Sequence, residues 1–201
     1  IRRPLGRTGL TVPPLGYGAF KIGRNQGIKY ATPYDLPDEA AVARLLDQIL
    51  ELGCDYLDTA PAYGLSEARL GRALGTRTSQ VVISTKVGET FEDGVSTFDF
   101  SRPGVLASLD RSRERLRREV LDLVLIHSPG ADLEVLEQTD VVAVLQEERT
   151  RGAIRGIGLS GKTIEGARAA LGWADAIMVE YHQRDPSHAE VLTAAAARGV
   201  G

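Results

Sequence analysis

Leu121-Asp122-Leu123-Val124-Leu125-Ile126-His127 is a seven-residue run with one polar position inside it and a histidine at its end. A strand with one face in water alternates polar and apolar residues. This run does not, so it reads as a parallel strand covered on both faces. Working outward, runs of the same type stand at Tyr56-Leu57, Val81-Val82-Ile83-Ser84, Ile154 to Leu159 and Ala176 to Val179, with a further strand expected around Leu15 to Phe20. Amphipathic stretches fill the intervals. Asp38-Glu39 open a helix that Gly53 closes, with Val42, Leu45, Leu46, Ile49 and Leu50 on one face. Ser66 is expected to cap a helix that runs to Leu74 and stops at Gly75. Pro103 to Arg118, Glu134 to Arg151, Thr163 to Leu171 and Ser187 to Arg198 read as further helices, and the Gly- and Pro-rich first forty residues as a turn, a strand and a long loop. Strands alternating with helices over short connections imply an α/β fold with a parallel sheet, open or closed into a barrel.

Composition narrows the function classes. The 201 residues carry a net charge of -3, which leaves no electrostatic footprint for nucleic acid or an anionic membrane. No apolar run approaches the roughly 18 residues of a membrane span. Cys54 is the single cysteine, so no intramolecular disulfide framework exists, and a reducing, cytoplasmic setting is expected. His182 and His188 lack any metal-ligand spacing, and no metal site is expected. Arg111, Arg113, Arg115, Arg117 and Arg118, with acidic residues between them, read as a solvated helix face, and Trp173 as packing. Gly156-Ile157-Gly158-Leu159-Ser160-Gly161 has the spacing of a dinucleotide fingerprint, with Glu180 following. It stands after four strands instead of the first, which argues against a Rossmann fold.

The reactive residues occupy one position in the pattern. Asp58 follows Tyr56-Leu57, Lys86 ends the run from Val81, and His127 ends the run from Leu121. The C-terminal ends of parallel strands share one edge, and in a barrel active sites form there. Tyr63 lies in the loop after Asp58 and can fold back over the same edge. A tyrosine hydroxyl, with an ordinary pKa near 10, is a poor acid at neutral pH. A neighbouring lysine ammonium lowers that value, a carboxylate holds the lysine charged, and a histidine orients a carbonyl oxygen. The four together suit carbonyl reduction, with a proton delivered to oxygen.

On these residues the chain resembles the aldo-keto reductase family. Arg3-Pro4-Leu5-Gly6-Arg7-Thr8-Gly9-Leu10 resembles its N-terminal hairpin, and Leu15-Gly16-Tyr17-Gly18-Ala19-Phe20 its first barrel strand. Asp58-Thr59-Ala60-Pro61-Ala62-Tyr63-Gly64, Ser84-Thr85-Lys86 and Leu125-Ile126-His127-Ser128 resemble its catalytic blocks. Gly152 to Ser160 resembles the segment that leads to the nicotinamide contact.

The resemblance implies a TIM (β/α)8 barrel binding NADP(H) without a Rossmann fold. Tyr63 is then the general acid, Lys86 and Asp58 tune it, and His127 orients the carbonyl. Gly18, Ala19, Phe20, Lys21, Asp58, Ser160, Gly161 and Met178 lie at the cofactor; Phe20, Tyr63, Gly88, His127 and Ser128 lie at a small-molecule carbonyl substrate. Gly161 replaces the usual Asn and Met178 the usual Gln, while Gly88 and Ser128 stand where large aromatics are common, so an open, less apolar pocket is expected. Only about six βα units can be counted in residues 1–201, whereas such barrels usually take about 250 residues. A single barrel domain belonging to a longer chain is therefore expected. Two other readings stay open: a nicotinamide-binding barrel without turnover, like the family's channel β subunits, and an unrelated barrel isomerase or lyase.

Overall fold

Strands and helices alternate along the whole computed structural model, which describes residues 1–28, 32 and 34–201. Positions 29–31 and 33 of the expected long loop lie outside the described residues. A hairpin of β1 (Arg3–Pro4) and β2 (Thr11–Val12) precedes β3 (Tyr17–Gly18), α1 (Glu39–Glu51), β4 (Tyr56–Asp58), α2 (Ser66–Leu74) and β5 (Val82–Val87). A second hairpin, β6 (Glu89–Glu92) and β7 (Val95–Phe98), leads to α3 (Arg102–Leu116) and β8 (Leu121–His127). Then come α4 (Asp132–Gln138), α5 (Val141–Thr150), β9 (Ile154–Ser160), α6 (Ile164–Ala170), β10 (Ala176–Met178) and α7 (Ala189–Ala197).

Six strands form one sheet in the order β10-β9-β8-β5-β4-β3, every neighbouring pair parallel. The sheet curls as part of a (β/α)8 barrel. β8 shows why its sequence does not alternate. Val124 and Ile126 pack into the main core beneath the helices, while Leu123 and Leu125 join Ala176, Leu5 and Met178 on the other face. The polar exception, Asp122, accepts the Ile83 N–H at 2.9 Å and pairs with Arg118. The first hairpin packs against β9 and β10 near their N-terminal ends: Arg7 donates to Ala174 O at 2.8 Å and lies 3.5 Å from Asp175.

Four local expectations need correction. The strand expected from Leu15 narrows to Tyr17–Gly18, because Ala19–Ile22 winds into a 3-10 turn and Leu15 is exposed. Ser66 starts α2 but does not cap it. Its hydroxyl accepts from Thr59 and donates to Ala19 O, both at 2.8 Å, so a tertiary tie replaces the local one. The helix expected from Glu134 to Arg151 is two helices broken at Thr139, which is extended. Arg118 is not on a solvated face, since its side chain is covered against Asp122 and donates to Val81 O. The hairpin at Glu89–Phe98 was not anticipated; Asp93 and Gly94, both at positive φ, make the turn that an Asp-Gly pair favours.

Gly156 and Gly158 owe their place to close packing between strands. A Cβ at Gly158 would stand 1.9 Å from Ala176 O, and one at Gly156 would stand 2.7 Å from the Thr8 side chain. Gly158→Ala is therefore expected to push β9 off β10 and lower the urea unfolding free energy by about 1–3 kcal/mol, read from the midpoint at constant slope.

Candidate active site

Register places the reactive residues. Gly18, Asp58 and Ser84 stand side by side across β3, β4 and β5, and His127 stands beside Ser160, which stands beside Met178. All lie at or near the C-terminal ends of their strands. Lys86 is only 1% exposed, and its ammonium meets Asp58 Oδ1 at 2.9 Å, Asp58 Oδ2 at 2.7 Å and Thr59 O at 2.9 Å. Three donors thus find three acceptors, which is the condition for burying an ammonium. Ser84 donates to Asp58 Oδ1 at 2.7 Å and accepts from the Tyr56 hydroxyl at 3.1 Å, so the carboxylate is held from two sides.

Tyr63 ends a 3-10 turn, Pro61–Tyr63, that folds back over this edge. Gly64 makes the fold-back possible. It has φ +59, and a Cβ there would stand 2.5 Å from Gly23 O. The Tyr63 ring sits over Lys86, Nζ to centroid 4.6 Å, edge-on to Phe20 at 5.1 Å and to His127 at 6.0 Å. Burial pushes the Tyr63 phenol above its ordinary value; Lys86 pulls it down, while Asp58 and Glu89 oppose Lys86. Lys86 thus acts in the expected direction, but desolvation is the larger effect and the net direction is upward. The phenol keeps its proton at neutral pH and stands as a donor.

Beside it is a cavity of about 460 Å³ lined by Phe20, Arg24, Gly27, Ile28, Ala62, Tyr63, Glu89 and His127. Glu89 and Arg24 were not anticipated. Glu89 Oε2 lies 2.9 Å from His127 Nδ1, and Arg24 lies 3.9 Å from Glu89 Oε1. The Asp93-Gly94 pair directly after Phe91-Glu92 is the signal that could have found the hairpin carrying Glu89.

The remaining expected residues divide. Phe20, Tyr63 and His127 line the cavity, whereas Gly88 and Ser128 do not. Gly88 is covered by the Phe100 ring, which would lie 2.0 Å from a Cβ there, and buried Ser128 accepts the Gly130 N–H at 3.1 Å. Gly18 is open, with nothing within 4 Å of a built Cβ. Ala19 is buried in the core and so offers only backbone, while Lys21 is exposed with its ammonium 5.2 Å from the Tyr34 ring centroid. Gly161 donates its N–H to Met178 O at 3.3 Å, and a Cβ there would stand 2.8 Å from Asp132 Oδ2. That oxygen accepts the Lys162 and Thr163 N–H groups, so the space a larger residue would use at 161 is already occupied. Among the described residues no helix is long and apolar enough to cross a membrane, and no group of metal-ligating side chains forms.

Residues 14–201 match the Aldo/keto reductase family. The chain belongs to that family. A solved structure of a Pseudomonas aeruginosa protein assigned to the aldo-keto reductases shares 43% identity at a TM-score of 0.92, covering 100% of this chain and 76% of that one. An aldo-keto reductase from Bacillus halodurans, solved in its holo form, shares 30% at a TM-score of 0.83, covering 100% and 64%. Among curated relatives, a D-threo-aldose 1-dehydrogenase from a Pseudomonas species is 31% identical over 96% of this chain and 65% of its own length. L-galactose dehydrogenase from Arabidopsis thaliana is 32% identical over 99% and 62%. The chain thus spans a little under two thirds of the length of these curated relatives.

A difference titration of tyrosine absorbance, wild type minus Tyr63→Phe, should place the Tyr63 ionisation above the ordinary value near 10. With the folded value raised, the protonated phenol favours the folded chain below about pH 10, and that contribution is lost as pH climbs through the folded value. An ionisation at or below the ordinary value would mean that Lys86 outweighs burial after all.

Proposed function

We propose that this chain is the catalytic portion, one barrel domain over residues 1–201, of an NADP(H)-dependent oxidoreductase that reduces a small aldehyde or ketone to an alcohol. The observation that carries the reading is the Tyr63 ring held over the buried Lys86–Asp58 pair, with His127 edge-on across the same cavity. The family and the dehydrogenase relatives support it.

The residues at the rim fit a nicotinamide cofactor. Gly18 leaves an open approach to the strand end beside Asp58, and half-buried Ser160 places a hydroxyl next to His127 in register. Gly18, Phe20, Lys21 and Asp58 on one side and Ser160, Gly161 and Met178 on the other would hold it; Ala19 would contribute only backbone. Hydride for the carbonyl carbon is what a reduced nicotinamide supplies when bound.

This chain's own residues do the rest. His127 hydrogen-bonds the carbonyl oxygen and orients it beside the Tyr63 hydroxyl. Tyr63 gives its proton to that oxygen as negative charge develops there, and the Lys86 ammonium beneath the ring stabilises the phenolate left behind. Asp58, fixed by Ser84, which the Tyr56 hydroxyl holds in turn, keeps the ammonium in place through both carboxylate oxygens. Phe20 walls the cavity and keeps water from the acid.

Tyr63→Phe removes the proton and spares the ring packing. With NADPH and a generic aldehyde, followed by loss of nicotinamide absorbance, the variant should lose about 10²–10⁴-fold in kcat. Undiminished turnover would overturn the role given to Tyr63. Cofactor binding with no turnover of any carbonyl by the wild type would instead favour a non-catalytic barrel.

A further inference from the structure

We propose that Glu89 is a positioning residue for His127: by fixing the proton at Nδ1, it makes this histidine a donor into the cavity only as an imidazolium. The inference rests on the carbonyl-orienting role proposed above for His127.

The geometry comes first. Glu89 Oε2 is 2.9 Å from His127 Nδ1. The contact is close but off the line of an ideal hydrogen bond; even so, a carboxylate oxygen and a bare ring lone pair repel at that separation, so Nδ1 carries a hydrogen. Glu89 remains a carboxylate: burial works against its charge, but His127, Ser96 and Arg24 together hold its carboxyl below the ordinary value. Neither partner is free to swing away. Arg24, 3.9 Å from Glu89, donates to Ala62 O and Gly27 O at 3.0 Å and stacks over Phe91 of the same hairpin at 3.5 Å. His127 is the last residue of β8, locked in register beside Ser160.

The consequence lies at the other ring nitrogen. Among the described residues Nε2 has no hydrogen-bond partner, and the ring lines the cavity. With Nδ1–H fixed, a neutral His127 presents a lone pair at Nε2, which repels a carbonyl oxygen. A second proton turns that atom into a charge-assisted donor. The other titratable groups facing His127 are Tyr63, edge-on at 6.0 Å, and behind it the Lys86–Asp58 pair. Burial keeps the Tyr63 phenol protonated beyond neutral pH, so the two groups are separable in a pH profile.

Ring-nitrogen NMR on the 15N-labelled full chain without cofactor, from about pH 5 to 9, reads the tautomer directly. The His127 signals are those lost in His127→Asn. The neutral form should be Nδ1–H in the wild type and should shift toward Nε2–H in Glu89→Gln. A neutral wild-type ring in the Nε2–H form overturns the proposal, and so does a tautomer unchanged by the substitution. In kinetics with NADPH and an aldehyde, wild-type kcat should fall with rising pH before the Tyr63 phenol ionises. In Glu89→Gln that fall should flatten, because a neutral Nε2–H ring still donates, while KM changes less than about twofold. An identical alkaline fall in both proteins also overturns it. Absence of turnover alongside the expected tautomers would count against the reductase reading and still support the assignment of the Nδ1 proton to Glu89.

Discussion

An ammonium that is 1% exposed, with both oxygens of a carboxylate and one backbone carbonyl around it, is the constraint on which the site depends. A lone charge buried so deeply is unfavourable by several kcal/mol, and the structure tolerates it only because every donor is met. The requirement reaches outward. Asp58 must end β4, Lys86 must lie near the end of β5, and the two strands must keep the register that sets Asp58 beside Ser84. Ser84, itself accepting from the Tyr56 hydroxyl, then adds a hydrogen bond to the carboxylate from the neighbouring strand. A slip of one residue in that register would turn Lys86 to the opposite face of the sheet.

Tyr63 depends on the same pair while resisting its influence. The ring covers Lys86 and keeps it dry, and the burial that results raises the phenol more than the ammonium lowers it. A phenol that holds its proton is what a donor in the resting state needs. The help from Lys86 is worth most when the phenolate forms, because charge in a water-poor site interacts more strongly.

Much of this was legible in the residues. The unbroken apolar run of β8 required cover on both faces, and the structure supplies helices on one side and the sheet's concave face on the other. The ends of the runs named Asp58, Lys86 and His127, since direction alone gathers strand ends on one edge. What escaped depended on tertiary contacts that carry no local signature. Ser66 has the chemistry of a cap, yet its hydroxyl finds Thr59 and Ala19 instead. The lysine's pull on the tyrosine was legible because the charge beside it is visible in sequence, whereas the burial that outweighs it is not. Glu89 and Arg24 lie 65 positions apart and meet only through the hairpin's return over the cavity.

That hairpin has a consequence for how such a site can diversify. It is inserted between β5 and α3 and, among the described residues, its two strands pair only with each other and add none to the barrel sheet. The quartet's footing is therefore inherited with the barrel, while the side chain that addresses His127 is inherited with an appendage. Substitutions in the appendage can retune the histidine without disturbing the buried pair beneath. Descendants of one scaffold could thus part in their response to acidity long before they part in fold.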